Sequence, residues 1–184
     1  MNEGMKTLLG RRSIRAYKPE QLKEEQLNTI LNAGKYAPTA MNEQKWHFTV
    51  VQNKELLNKI NEICKIMMQS MGGAMGERAK AENFSIFYNA PALIIVSADE
   101  KAIAPQIDCA LALNNMFLAA ETENIGSCWI HAVTNLSKIE SGKALMKELQ
   151  IPEGYNIYAS GAFGYKAMEA SPAPRKENTV TILK

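Results

Sequence analysis

Long hydrophobic runs are missing from this 184-residue sequence. A membrane-spanning helix needs roughly 18 consecutive apolar residues, and no window of the chain approaches that length. Residues 1–9 also lack the apolar stretch of a secretory signal peptide. We therefore expect a soluble, cytoplasmic protein with no membrane partner.

A large excess of one charge is also missing, since 21 Lys and Arg against 19 Asp and Glu give a formal net charge of +2. Proteins that bind nucleic acid usually carry a strongly basic field, so this balance argues against a nucleic-acid partner. The cations are nevertheless unevenly distributed. Residues 11–18 contain no acid, and basic residues stand there and near the other end of the chain at Arg11, Arg12, Arg15, Lys18, Arg175 and Lys176.

Residues that hold metals or attack substrates are scarce. The chain has two histidines and three cysteines without an HExxH or CxxC motif, which argues against a zinc site and a disulfide framework. The glycine patterns of phosphate loops and dinucleotide folds are absent, and so is the GxSxG nucleophile elbow. Cys128 lies in an apolar stretch, where a thiol more often packs than reacts. If the chain is an enzyme, we expect a cofactor to carry the chemistry.

Hydrophobic periodicity predicts the helices and strands. Helices are expected over 20–35, 54–70, 105–123 and from a Ser137-x-x-Glu140 capping box to about Leu149. Strands are expected at Trp46–Val51, Ala92–Ala98, Cys128–Ile130 and Tyr155–Tyr165. Residues 67–76 are rich in Met and Gly, and they could form a surface loop or a mobile lid over a pocket. Because strands and helices do not alternate strictly, we predict one α+β domain over residues 1–184, with helices on a mostly antiparallel sheet.

Two segments carry side chains suited to a polar ligand. The sequence RRSIR at residues 11–15 offers three guanidinium groups and a hydroxyl, which could hold a phosphate or could simply form a solvated basic face. After the first predicted helix, the amides of Asn42 and Gln44 could contact the edge of a heterocycle or a polyol chain. The alternative for this second segment is a capped loop that places Trp46 in the core.

These segments form part of a longer series of motifs that resembles a known family. The series runs RRSIRAY, YAPTAMNEQKWHF, NAPALIIV, DCALALNNMFLAAETENIGSCWI and PRK, in that order, from about Leu8 to Lys176. It resembles the nitroreductase family of FMN-dependent oxidoreductases. The resemblance implies a nitroreductase-like fold and a homodimer with FMN at the interface.

The resemblance also implies roles for individual residues. The FMN phosphate, ribityl chain and pyrimidine edge would be bound by Arg11, Arg12, Ser13 and Arg15, and the phosphate also by Arg175 and Lys176. A cation at Arg15 would stabilise the negative charge that develops on reduction. The partner subunit would contribute Pro38, Thr39, Ala40, Asn42 and Gln44. The strand against the flavin ring would contribute Trp129, Ile130 and His131, with Ala132 beside them.

Two further residues are candidates for catalysis, although the flavin itself would carry the chemistry. Asp108 matches a polar position near the ring system, and His131 stands where many family members carry an acidic residue. His131 could protonate a reduced acceptor, or it could be a strand-end histidine facing polar loops. Thr39 and Lys45 also depart from the family pattern, which has serine and proline at these positions.

The implied activity is a ping-pong transfer of hydride from NADH or NADPH through flavin N5 to a nitroaromatic, a quinone or a similar small acceptor. Three alternatives remain open: fragmentation of flavin, reductive dehalogenation, and a non-catalytic FMN-binding sensor. No metal is expected.

Overall fold

The computed structural model describes all 184 residues. The helices are α1 (Glu3–Gly10), α2 (Glu24–Lys35), α3 (Lys54–Met71), α4 (Gly73–Arg78), α5 (Pro105–Thr122) and α6 (Glu140–Glu148). The strands are β1 (Trp46–Val51), β2 (Ala92–Asp99), β3 (Ile125–Trp129) and β4 (Tyr155–Tyr165). Short 3₁₀ turns cover Ala40–Asn42 and Ala132–Lys138.

The strands form one antiparallel sheet in the order β1-β2-β4-β3. The middle strand β2 is buried on both faces, which explains its continuous apolar sequence. Leu93 and Ile95 face a core built with α3 and α6, whereas Ile94 and Val96 face a second core built with α5. The predicted α+β architecture with a mostly antiparallel sheet is therefore confirmed.

The helix α5 packs against both α2 and the sheet. Leu113, Met116 and Phe117 are buried on its inner side. Its outer side is mixed, since Ile107 is 62% exposed and Leu111 39% exposed beside the exposed Gln106 and Asn114. None of the helices combines the length and the apolar character needed to cross a membrane.

Several predicted boundaries differ from the structure. The helix predicted from residue 20 begins at Glu24, because Gln21 lies outside it and donates to the carbonyls of Gln52 and Pro91. The strand predicted at Cys128–Ile130 instead covers Ile125–Trp129 and pairs along its whole length with β4. Its first residues, Ile-Gly-Ser, lack the run of β-branched side chains from which strands are predicted.

The predicted capping box at Ser137 is wrong. Ser137 lies inside the 3₁₀ turn, and α6 begins at Glu140 with Ile139 at its N-cap and no side-chain cap. The turn takes precedence because it buries Val133 and Leu136 in the core.

The Met-rich segment 67–76 is mostly helical, so the loop prediction is wrong there. Helix α3 continues to Met71, and α4 follows after a turn at Gly72, where φ is +68°. Met67 is buried, and this side chain gives α3 an apolar face up to its last turn. Helix α1 is an element that the sequence analysis missed; none of its residues is buried, and the Asn2 side chain caps it by accepting the Met5 N–H.

Two helical glycines give a matched test of the packing. A Cβ on Gly142 would overlap the backbone carbonyl of Leu136, whereas a Cβ on Gly34 would meet the flexible end of Met116. We expect Gly142→Ala to lower the free energy of unfolding by about 3 kcal/mol, since backbone cannot yield as a side chain does. Gly34→Ala should change it by less than about 1 kcal/mol, because better helix propensity offsets repacking. Urea denaturation of both variants checks this, and equal costs would contradict it.

Candidate functional site

The basic segment, defined as Arg11–Arg15, is held against the edge strand β3. Ser13 forms a parallel bridge with Ser127, and the Ile14 N–H donates to the Ser127 carbonyl at 3.0 Å. Gly126 makes the close approach possible, since a Cβ there would lie 2.9 Å from Cγ2 of Ile14. The buried Ile14 side chain therefore anchors the segment while its neighbours remain on the surface side.

The guanidinium groups of the basic segment have no acidic partner. All six ion pairs of the structure use a lysine, and none uses an arginine. Arg12 donates from Nη1 to the carbonyls of Leu9 at 2.7 Å and Arg11 at 2.8 Å. The Arg11 guanidinium lies 5.4 Å from the ring centroid of Phe117. Cations held in place without carboxylates are suited to an anionic ligand.

Two buried polar atoms at the same junction lack a hydrogen-bond partner. They are Nε of Arg12 and Oγ of Ser127, which is almost completely buried. Buried polar atoms are usually paired, so orphaned atoms at such a place call for an explanation. Together with the unpaired guanidinium groups, they form a donor set that fits a phosphate group.

A cluster of polar and aromatic groups surrounds Arg15. Its guanidinium lies 5.9 Å from the ring centroid of Tyr88, and hydrogen bonding by the Tyr88 side chain is the main factor that raises the pKa of Arg15. Tyr17 donates to the Ile14 carbonyl at 2.7 Å, and burial raises the pKa of its phenol far above the usual value. Arg15 therefore stays charged, and Tyr17 stays neutral.

Cys128 lies in β3 beside this cluster. Burial raises the pKa of its thiol, and Arg15 and Arg11 only partly oppose this effect. The thiol is therefore neutral, which agrees with a packing role rather than a nucleophilic one.

The loop of residues 38–44 is strained and exposed. Met41, Asn42 and Gln44 have positive φ values of 50°, 56° and 49°, although none is glycine. Such conformations cost about 1–3 kcal/mol each, and asparagine adopts them more readily than most residues do. The Gln44 side chain donates to the Asn42 side-chain oxygen at 2.8 Å, and the Gln44 N–H donates to Oγ1 of Thr39 at 3.1 Å.

Contacts from outside the loop fix this conformation. The buried Asp108 on α5 accepts the Ala40 N–H at 3.2 Å. Glu43 accepts the Ile103 N–H at 2.9 Å and pairs with Lys45 at 2.6 Å. The Ile103 N–H, and after it Lys45, lower the pKa of Glu43. Asp108 thus has a partner within its own chain and holds the loop.

The loop and the basic segment do not meet within one chain. The loop leads into β1 and the basic segment pairs with β3, and these strands are opposite edges of the sheet. Pro38, Asn42 and Gln44 are exposed, and no hydrogen bond joins them to the basic segment.

The end of β3 borders a cavity of about 420 Å³. Trp129 and His131 are exposed there, whereas Ile130 is buried, and Ala132 completes this side of the wall. The other side belongs mainly to α3, α4 and the residues that follow them, with the lining side chains Met67, Met68, Met71, Met75, Arg78, Phe84, Ser85, Ile86 and Tyr88. The cavity thus begins where the predicted flavin-facing strand ends.

Tyr88 is a site residue that the sequence analysis missed. It lines the cavity and also contacts Arg15, so it joins the cavity to the basic segment. Its φ is 58° and that of Asn89 is 55°, and Oγ of Ser85 accepts the Asn89 N–H at 3.0 Å. A positive φ is unusual for a bulky residue, and no sequence pattern around Tyr88 announces it.

Arg175 and Lys176 lie in the exposed C-terminal segment, which has no helix or strand after β4. No hydrogen bond or ion pair joins either side chain to the basic segment. That Arg175 and Lys176 bind the same phosphate group as the basic segment therefore stays a prediction.

Known proteins resemble this chain in sequence and in structure. The family model described as "Nitroreductase family" matches residues 8–165. The structure is similar to that of a nitroreductase with bound FMN from Bacteroides fragilis, with a TM-score of 0.92, 37% identity and full coverage of both chains.

Two curated sequences are also similar. An Archaeoglobus fulgidus protein, provisionally named NADH dehydrogenase/NAD(P)H nitroreductase, is 35% identical over 90% of this chain and 86% of its own. An iodotyrosine deiodinase of Thermotoga neapolitana is 27% identical over 64% of this chain and 67% of its own. The family match extends over most of the residues that build the sheet, the basic segment and the cavity, so the chain belongs to the nitroreductase family.

Proposed function

We propose that this protein is an NAD(P)H-dependent FMN oxidoreductase that works as a cytoplasmic homodimer of single-domain subunits and reduces a small organic acceptor. The observation that carries the proposal is that the basic segment, whose arginines have no acidic partner, is held against β3 beside an apolar cavity. The FMN named for the Bacteroides fragilis structure and the NAD(P)H named for the Archaeoglobus fulgidus relative support it.

The basic segment would hold the FMN phosphate and the polar edge of the flavin. Arg11, Arg12 and Ser13 supply donors, and charge-assisted bonds from arginine suit phosphate geometry. Arg175 and Lys176 would close on the same phosphate from the C-terminal segment. When bound, FMN supplies hydride chemistry at N5, accepting from NAD(P)H and reducing the acceptor in turn.

The remaining residues position the flavin and exclude water. Arg15, kept charged beside Tyr88, would face the pyrimidine edge and stabilise negative charge that develops there. The backbone from Trp129 to His131 would lie against the ring, and His131 stands at the cavity wall as a proton donor for the acceptor. Donor and acceptor would use this cavity in turn, as a ping-pong reaction requires.

The partner subunit would complete each site. The loop that carries Asn42 and Gln44 is fixed, exposed and placed at the sheet edge opposite the basic segment. Two copies related by a two-fold axis can bring the loop of one chain to the basic segment of the other. The exposed side chains of Ile107 and Leu111 on α5 supply apolar surface for such an interface.

A second candidate function is reductive dehalogenation. The Thermotoga neapolitana relative, an iodotyrosine deiodinase, is the observation that favours it. Incubation of the reduced enzyme with a halogenated phenol and, separately, with a nitroaromatic, followed by product identification, separates the two reactions.

The activity is tested by adding NADH or NADPH to the purified yellow protein without oxygen. We expect the flavin absorbance to bleach and to return when a quinone is added, since the acceptor takes up the electrons. A flavin that stays oxidised with both nucleotides would contradict the proposed function and favour an FMN-binding sensor.

The variant Arg12→Ala tests whether the basic segment binds the FMN phosphate. Loss of a charge-assisted bond to phosphate should weaken FMN binding by at least about tenfold. Lys18→Ala is the matched control, because it removes an equal charge from the exposed end of the same stretch. Equilibrium dialysis against FMN gives both affinities. Equal affinities in the two variants would show that Arg12 does not contact the phosphate.

The shared site is tested by mixing two defective variants. Arg12→Ala and a double Asn42→Ala, Gln44→Ala variant should each bind FMN poorly when alone. If each site uses both chains, a mixed dimer has one intact site, and co-refolding should restore part of the flavin binding. A mixture that binds no better than its components would show that the residues do not act across the interface.

A further inference from the structure

The cavity beside β3 is apolar over most of its wall. Its four methionines, Met67, Met68, Met71 and Met75, come from α3 and α4 and lie opposite Trp129. Methionine side chains adapt to ligands of different shape and make favourable sulfur contacts with aromatic rings. A volume of about 420 Å³ lies in the range of small-molecule pockets, so the cavity has room for a ligand of one or two rings.

The side chain of Arg78 lines the cavity and forms no ion pair with an acidic residue. Its Nη1 lies 3.9 Å from Sδ of Met75, so the guanidinium is next to one of the four methionines. The nearest acid in sequence, Glu77, is already paired with Lys80 at 2.7 Å. No Asp or Glu lines the cavity. The charge of Arg78 is therefore uncompensated at the mouth of an apolar cavity.

The other polar groups of the wall are less suited to bind an anion. Oγ of Ser85 accepts the Asn89 N–H, and Oδ1 of Asn135 accepts from Lys138 at 2.7 Å. Their charge is zero, and His131 is the only other ionisable nitrogen on the wall. Arg78 is consequently the group that distinguishes an anionic ligand from a neutral one of the same shape.

We propose that this cavity is the acceptor subsite and that Arg78 selects acceptors in which an aromatic ring carries a carboxylate or another anionic group. The inference rests on the proposed oxidoreductase function and adds a substrate class to it. For a nitroaromatic acid, the first reduction breaks one N–O bond. NAD(P)H supplies a hydride through the flavin, one proton from solvent reaches the acceptor through His131, and the products are the nitroso acid, NAD(P)⁺ and one water.

The test compares two acceptors that differ in charge but hardly in shape, 4-nitrobenzoate and 4-nitrobenzamide. In the holoenzyme, we expect Arg78→Gln to lower the ratio of kcat/KM for the acid to kcat/KM for the amide by about tenfold, the usual effect of one charge-assisted bond. Lys65→Gln removes a charge of α3 that has no ion-pair partner and lies outside the cavity, and it should leave the ratio within about twofold. Arg78→Glu should reverse the preference.

The same variants show whether Arg78 serves the donor instead. The phosphates of NAD(P)H are anions too, so KM for NADH and NADPH is measured alongside. If Arg78→Gln raises these values and leaves the acceptor ratio unchanged, the inference is overturned. An unchanged acceptor ratio with unchanged KM values overturns it as well.

A binding measurement separates this inference from the proposed function. Trp129 lines the cavity, and in a Trp46→Phe background it is the sole tryptophan. Quenching of its fluorescence should give a lower Kd for 4-nitrobenzoate than for the amide, and Arg78→Gln should remove the difference. If NAD(P)H fails to reduce the flavin but this preference is seen, the function fails and the subsite stands. Equal Kd values refute the subsite even in an active enzyme.

Discussion

The position of the basic segment depends on how Ile14 packs against the edge strand β3. The Ile14 N–H bonds to the Ser127 carbonyl, and its side chain fills the space that Gly126 leaves open. In an extended segment, neighbouring side chains point in opposite directions, so burying Ile14 sends Ser13 and Arg15 the other way. One apolar contact thus decides where the cations of the basic segment lie. The same contact covers an edge that would otherwise expose unpaired backbone groups.

Ion pairing distinguishes six lysines from the arginines of the proposed site. Lysines take every ion pair, as in Lys45 with Glu43, where the pair steadies the loop before β1. The arginines of the basic segment and of the cavity mouth have none. Placing like charges together without acids is unfavourable, and binding an anion relieves it. The net charge of +2 conceals this division, because it counts paired and unpaired cations alike.

The sequence predicts the elements with strong periodicity and misses those that depend on distant contacts. The strands predicted at Ala92–Ala98 and Tyr155–Tyr165 agree with the structure to within one residue. The turn over Ala132–Lys138 overrides the Ser137 capping pattern because it buries Val133 and Leu136, which no local motif records. The basic segment can be recognised from its local sequence, RRSIR. Tyr88 cannot, since its role arises from a positive φ and from contacts with residues far away in the chain.

The loop before β1 and the cavity wall at Tyr88 both contain residues with a positive φ, as do turns elsewhere in the chain at Asn124, Gln150 and Asn178. Met41, Asn42 and Gln44 in the loop and Tyr88 at the cavity wall hold positive φ values at a cost of about 1–3 kcal/mol each. Each segment is fixed by contacts of its own, the loop by Asp108 and the wall by Ser85. Because the folded chain already bears this cost, ligand binding does not have to order either segment. The strain is thus compatible with tight binding, and the buried Asp108 affects the surface loop through its hydrogen bond with the Ala40 N–H.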